Sequence, residues 1–186
     1  MSYSSRPRNP PPKKAYKRQE TADATTAPPA LADVQSVIDK FRVVDQLKQA
    51  SDGSLAISLL PNDKLHLKDE TVAFEIGRQK YPNLTLINLA VDGTINLLYP
   101  ALKNDTVNIP IDKPYKLADI KVEAPFGADH LLAILSETPL LALHDSLKKN
   151  DKTHAAEFLT LLNKALQGNR YQLAIHASFT ADSSSK

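Results

Sequence analysis

No cysteine occurs in the 186 residues, which removes disulfides, cysteine-zinc sites and thiol nucleophiles together. Glycine is nearly as scarce. The five glycines at 53, 77, 93, 127 and 168 are too far apart for a G-x-G or P-loop spacing, so nucleotide binding by those routes is excluded. The elbow G-x-S-x-G that presents a catalytic serine is missing as well. No apolar run approaches the ~20 residues of a membrane helix, and MSYSSRPRNPPPKK lacks the apolar core of a secretory signal. The expectation is a chain without a membrane span. It is cytoplasmic if Met1 is the native start, with an extracytoplasmic place open if the chain is an excised domain.

Charge is unevenly spread. Residues 1–30 hold Arg6, Arg8, Lys13, Lys14, Lys17 and Arg18 against Glu20 and Asp23, a balance of +4 within an overall +2. The remainder therefore stands at −2, which argues against nucleic acid as a partner of the folded part. The same stretch is rich in proline and has almost nothing to bury, so it reads as a disordered tail or linker. Residues 31–180 read as one globular domain, and 181–186 as a frayed end.

The firmest local signal is NLTLINLAVDGTINLLYP, residues 83–100, in which two apolar runs flank Asp92-Gly93. Asp-Gly favours a two-residue type I′ hairpin turn with positive φ at both positions. Alternation predicts further strands at Ser54 to Leu60, Thr71 to Arg78, Ile120 to Ala124, His130 to Ser136 and Arg170 to Phe179, with a short extended piece at Val107 to Ile109. A helix is predicted over Ala32 to Ala50, with Asp33 as N-cap and Val34, Val37, Ile38, Phe41, Val44 and Leu47 as its apolar stripe. Two later helices follow: one capped by Thr138-Pro139, the other from about Thr153 to Gln167 and closed by Gly168. Many short strands that do not alternate regularly with helices point to an α+β fold. The expected form is an antiparallel β-sandwich or rolled sheet with two or three flanking helices.

The five histidines show no metal-binding spacing, and Asp129-His130 and His144-Asp145 are sequence neighbours whose side chains diverge. No catalytic constellation, metal or cofactor is expected. Pro125-Phe126-Gly127 reads as a sharp packed corner, because Pro125 steers Ala124 away from helix and Gly127 tolerates unusual φ. Tyr99, Pro100, Pro125 and Phe126 fit either a ligand groove or a buried corner where strands leave the sheet.

Asp92-Gly93, Leu98-Tyr99-Pro100 and Pro125-Phe126-Gly127, followed by the strand Leu131 to Ser136, occur here in an order and spacing that resemble a bacterial domain family of unknown function. That family is commonly appended carboxy-terminal to caspase-like cysteine peptidases. The resemblance covers about residues 54–140 and implies a non-catalytic accessory or recognition module. A protein-interaction or regulatory domain with a protein partner is the reading that follows. The alternative is an envelope or secreted module that binds a surface or carbohydrate.

Overall fold

The computed structural model describes residues 31–61, 65–102, 105–111, 113–149 and 153–182; of the segments expected to be disordered, 1–30 and 183–186 lie outside them, while Ala181, expected to open the frayed end at 181–186, is the last residue of a strand. The element order is α1 (Leu31–Ala50), β1 (Ile57–Leu60), β2 (Leu65–Leu67), β3 (Thr71–Ile76), β4 (Asn83–Leu89), β5 (Thr94–Tyr99), β6 (Tyr115–Lys121), β7 (Ala128–Ser136), α2 (Leu141–Lys149), β8 (Thr153–His154), α3 (Ala155–Leu166) and β9 (Tyr171–Ala181). Two sheets form, neither closed into a barrel: a three-stranded one, β1-β3-β6, and a six-stranded one, β2-β9-β7-β4-β5-β8. All pairings are antiparallel except β2 with β9. The chain is an α+β fold, mainly β.

The six-stranded sheet is covered on both faces, and its alternation separates two cores. Leu84, Leu86, Leu131, Ala133 and Leu135 point to the smaller sheet, where Leu59, Val72, Phe74 and Ile76 meet them. Ile87, Leu89, Leu132, Ile134 and Leu173 point the other way, into a core built with Val43, Val44 and Leu47 of α1, Leu143 and Leu147 of α2, and Phe158 and Leu162 of α3. Burying each such side chain stabilises the fold by about 1.5–3 kcal/mol. Double coverage also explains β9. Its nominally polar face carries Gln172, Ala174 and Ser178, all buried, and His176 is half-buried there rather than solvated. Gln172 is satisfied in place, accepting from Lys80 N at 2.7 Å and donating to Ser54 Oγ at 3.0 Å.

The predicted hairpin is present with a different turn. Ala90 N donates to Thr94 O and Gly93 N to Ala90 O, so the loop is three residues, Val91–Asp92–Gly93. Gly93 has φ of 86° and Asp92 does not share it. This is the type I turn plus left-handed glycine of a three-residue hairpin. Asp92 contributes through its side chain instead, Oδ1 accepting from Thr94 N at 2.9 Å.

Other expectations shift. Of the strand expected over 120–124 only Ile120 and Lys121 are extended, as the end of β6, which begins at Tyr115 and pairs with β3. Thr138 does not cap α2, which starts at Leu141; its N–H and carbonyl are bonded instead by the side chain of Asn169. Thr153-His154 is a short strand on β5 rather than the first turn of α3. β2 has no counterpart in the predicted strands; three residues are too few for a period to show. The 107–109 piece is extended as expected, bonding to Pro82 and Leu84.

The largest correction concerns α1. It begins at Leu31, so Asp33 lies inside its first turn. Its buried face is Lys40, Val43, Val44 and Leu47, whereas Val34, Ile38 and Phe41 are exposed.

Candidate functional site

Sequence reasoning singled out Tyr99, Pro100, Pro125, Phe126 and Gly127, and the structure does not bring them together. Tyr99 pairs with Leu86 in the middle of β4, and both it and Pro100 are buried. The Tyr99 hydroxyl donates to the Thr106 carbonyl, and burial pushes its pKa up to about 12. Gly127 lies at the other end, where an added Cβ would meet Val91 Cγ2 at 2.7 Å with φ of 148°. Pro125 beside it is exposed, and Phe126 is half-buried against the inter-sheet core. Leu86 is in the middle of β4 and Val91 is in the hairpin loop beyond its end, at least three strand residues or roughly 10 Å away. These residues form two separate corners rather than one groove.

Two other features stand out. The first is an uncovered apolar surface where the helical layer stops short of the sheet's end. Val34, Ile38 and Phe41 follow one another at i, i+4 and i+7 along the outer side of α1. Phe41 meets His130 edge-on, with ring centroids 6.1 Å apart. His130 pairs with Ala177 on β9; two residues on, Phe179 pairs with both Ala128 and Leu65. Strand alternation puts Ala128, His130, Ala177, Phe179 and Leu65 all on the helix-facing side. Phe41, Phe179 and Leu65 are 49%, 50% and 56% exposed.

Beneath this surface lies a buried cation. Lys40 is 1% exposed and donates to the Ala128 carbonyl. Burial holds its pKa below the usual lysine value, and Asp129 and Asp92 oppose that shift. His130 is lowered to about 4 by burial and by the charges of Lys40 and Lys48. A lysine in a helix reads as solvent-facing, but Lys40 lies three residues from both Val37 and Val43, on the stripe that packs inward. That spacing was the available signal.

The second feature is a cavity of about 100 Å³ between the two sheets. A polar row crosses the six-stranded sheet there: Asn88 on β4, Asp129 on β7, Ser178 and Thr180 on β9, and His66 on β2. Leu59, Phe74 and Ile120 of the smaller sheet supply apolar walls, and Lys121 and Glu123 lie at the exposed rim. His66 is 2% exposed and Asp129 8%. Asp129 accepts from the Val91 backbone and the Asn88 side chain, yet burial raises its pKa to about 6. His66 Nε2, Asn88 Oδ1 and Asp129 Oδ1 have no hydrogen-bond partner among the described residues. His144, by contrast, is tied into the helix-side core by a 2.8 Å bond between Nε2 and Thr85 Oγ1.

No group of three or more metal-ligating side chains gathers among the described residues, and no helix among them is long and apolar enough to cross a membrane. Comparison with protein-family models, with curated proteins and with solved structures finds no match.

Proposed function

We propose that this chain is a non-catalytic protein-interaction or regulatory accessory domain, of the kind that works beside an effector or protease. The observation that carries the reading is the apolar surface of Val34, Ile38, Phe41, Leu65 and Phe179. Large apolar side chains scattered singly over a surface need no explanation, but neighbours on one helix face and the adjoining sheet end mark a protein contact. Aromatic side chains at such a centre supply much of the binding energy. The +4 of residues 1–30, which lead into α1, adds electrostatic attraction for a partner whose contact patch is apolar with an acidic rim. The order of the Asp92-Gly93, Leu98-Tyr99-Pro100 and Pro125-Phe126-Gly127 motifs, through the family they resemble, supports an accessory role.

The test is affinity purification with quantitative mass spectrometry on three forms: the wild type, Phe41→Asp/Phe179→Asp, and Tyr171→Asp as control. Tyr171 is exposed but starts β9, roughly 26 Å along the strand from Phe179. A partner held by wild type and Tyr171→Asp but lost from the double variant supports the reading. Identical partner profiles for all three forms would contradict it.

A further inference from the structure

We propose that the apolar surface continues into a strand-addition site, where a short extended segment of a partner protein pairs with the open edge of β9 between Leu173 and Phe179. The proposal rests on the protein-interaction reading above and names the form the partner takes there.

The hydrogen-bonding parity of β9 is fixed at both of its ends. Glu137 N donates to Arg170 O and Thr180 N to Gly127 O, both in the register of the β7 pairing. The even residues of β9 therefore turn their N–H and carbonyl toward β7, and the odd residues turn theirs away from it. Leu173 O accordingly accepts from Ser51 Oγ at 2.9 Å, and Ala181 O accepts from Lys68 N at 2.9 Å just past β2. β2 pairs only with Phe179 to Ala181. The outward N–H and carbonyl groups of Ile175 and Ala177 are thus left without a partner among the described residues. Ala177 is exposed and Ile175 half-buried, so water or a ligand reaches this edge.

Two obstacles set the length of what can bind. The chain leaving α1 meets the edge at Leu173 and β2 begins at Phe179, which leaves roughly 17 Å, the length of about five extended residues. β9 itself is 11 residues long, so the β9 of a second copy does not fit. The slot guards against edge-to-edge association and admits a short, isolated strand. Ile175 and Ala177 each offer one donor and one acceptor, roughly 7 Å apart along β9, which is the repeat of an extended backbone. Residues of an added strand opposite Ile175 and Ala177 point to the helix-facing side, the side of Phe41, Phe179 and Leu65. The segment therefore carries apolar residues at alternate positions. Proline is excluded from its interior, because the pairing needs every second N–H.

The experiment begins with amide hydrogen exchange on the full ¹⁵N-labelled chain. In the free protein Ile175 and Ala177 are expected to exchange roughly 100-fold or more faster than His176 and Ser178, whose N–H groups face β7. The probe for the partner is a phage-displayed library of random heptapeptides, selected on the same chain, with the enriched sequences then synthesised. Enriched peptides are expected to alternate apolar residues, to lack interior proline and to protect Ile175 and Ala177 on binding. Ala177→Pro removes an N–H that the fold does not use and is expected to weaken them about ten-fold or more; Ala177→Ser keeps the N–H and is expected to bind as wild type does. Four results overturn the proposal: both amides already protected in the free chain, no enriched peptide, enriched peptides that leave both amides unprotected, or undiminished binding by a folded Ala177→Pro. Protection of the two amides in wild type decides the matter even if Ala177→Pro fails to fold. Peptides lost from Phe41→Asp/Phe179→Asp that never protect Ile175 and Ala177 defeat strand addition and leave the apolar surface standing. Protection unchanged in that double variant defeats the apolar surface and leaves the strand edge standing.

Discussion

Substituting Gly93 by alanine is expected to destabilise the protein far more than a turn glycine ordinarily would, because α1 rests on the hairpin at that point. Two penalties add. A side chain in the left-handed region costs about 1–2 kcal/mol, offset by about 0.4–1 kcal/mol from a less flexible unfolded chain. The second penalty is steric. A Cβ at Gly93 would stand 2.5 Å from the Ser36 carbonyl oxygen and 2.8 Å from its carbon, where ordinary contact begins near 3.4 Å. Both atoms are helix backbone and cannot rotate away, so α1 must lift by close to 1 Å. Lifting it loosens Val43, Val44 and Leu47 against the sheet, a strain of about 1–3 kcal/mol. The net expectation is about 2–4 kcal/mol. Gly168→Ala is the internal control, since Gly168 has φ of 73° and nothing within 4 Å of its Cβ position; only the strain remains, about 1 kcal/mol or less. Urea unfolding followed by circular dichroism measures both, with unchanged m-values showing that stability alone moved. If the two variants lose the same stability, α1 does not press on the turn and the helix placement argued above is wrong.

Other perturbations test other layers. Phe158 is fully buried among the three helices and the sheet, so Phe158→Ala is expected to cost about 3–5 kcal/mol in the same urea assay. Lys40→Met is expected to raise the pKa of both Asp129 and His130, because the lysine charge lowers each of them; NMR titration that finds both unmoved would disprove the coupling. Stability is expected to fall between about pH 6.5 and 4. His130 and His144 are lowered to about 4 by burial, so the unfolded chain binds their protons first as pH drops. Asp129, raised to about 6, takes up its proton in the folded state and partly offsets the loss. The net is one proton, about 1.4 kcal/mol per pH unit at most, or roughly 2 kcal/mol across the window after solvent screening. Removing the offset with Asp129→Asn should steepen the dependence in thermal melts from pH 4 to 7, and a flatter profile would contradict the assignment.

The α+β class and most elements were legible because period-2 runs such as TVAFEI and LLAILS and the 3.6-residue pattern of α3 are local signals. What escaped depended on coverage. β9 looks one-sided in sequence, with Gln172, His176 and Ser178 on its polar face, yet the smaller sheet covers that face. The stripe of α1 was read too broadly, since helical spacing allows Val34–Ile38–Phe41 and Val37–Val43–Val44–Leu47 alike. Only docking on the hairpin at Gly93 selects between them, and it places Lys40 inward. The polar row from Asn88 to His66 joins four strands whose adjacency is set by topology, so no spacing along the chain announces it. Asp129 drew notice only through its neighbour His130, and the two point to opposite faces of the sheet.

Recognition of another protein through the outer side of α1 and the adjoining sheet end is the central claim. It is tested most directly by site-specific photocrosslinking from positions 38 and 179, with position 171 as reference and mass spectrometry to identify the adducts. The account predicts that positions 38 and 179 capture the same partner protein while position 171 captures none of it. Adducts to that partner of equal yield from all three positions, or none from positions 38 and 179 while position 171 reacts, would contradict it.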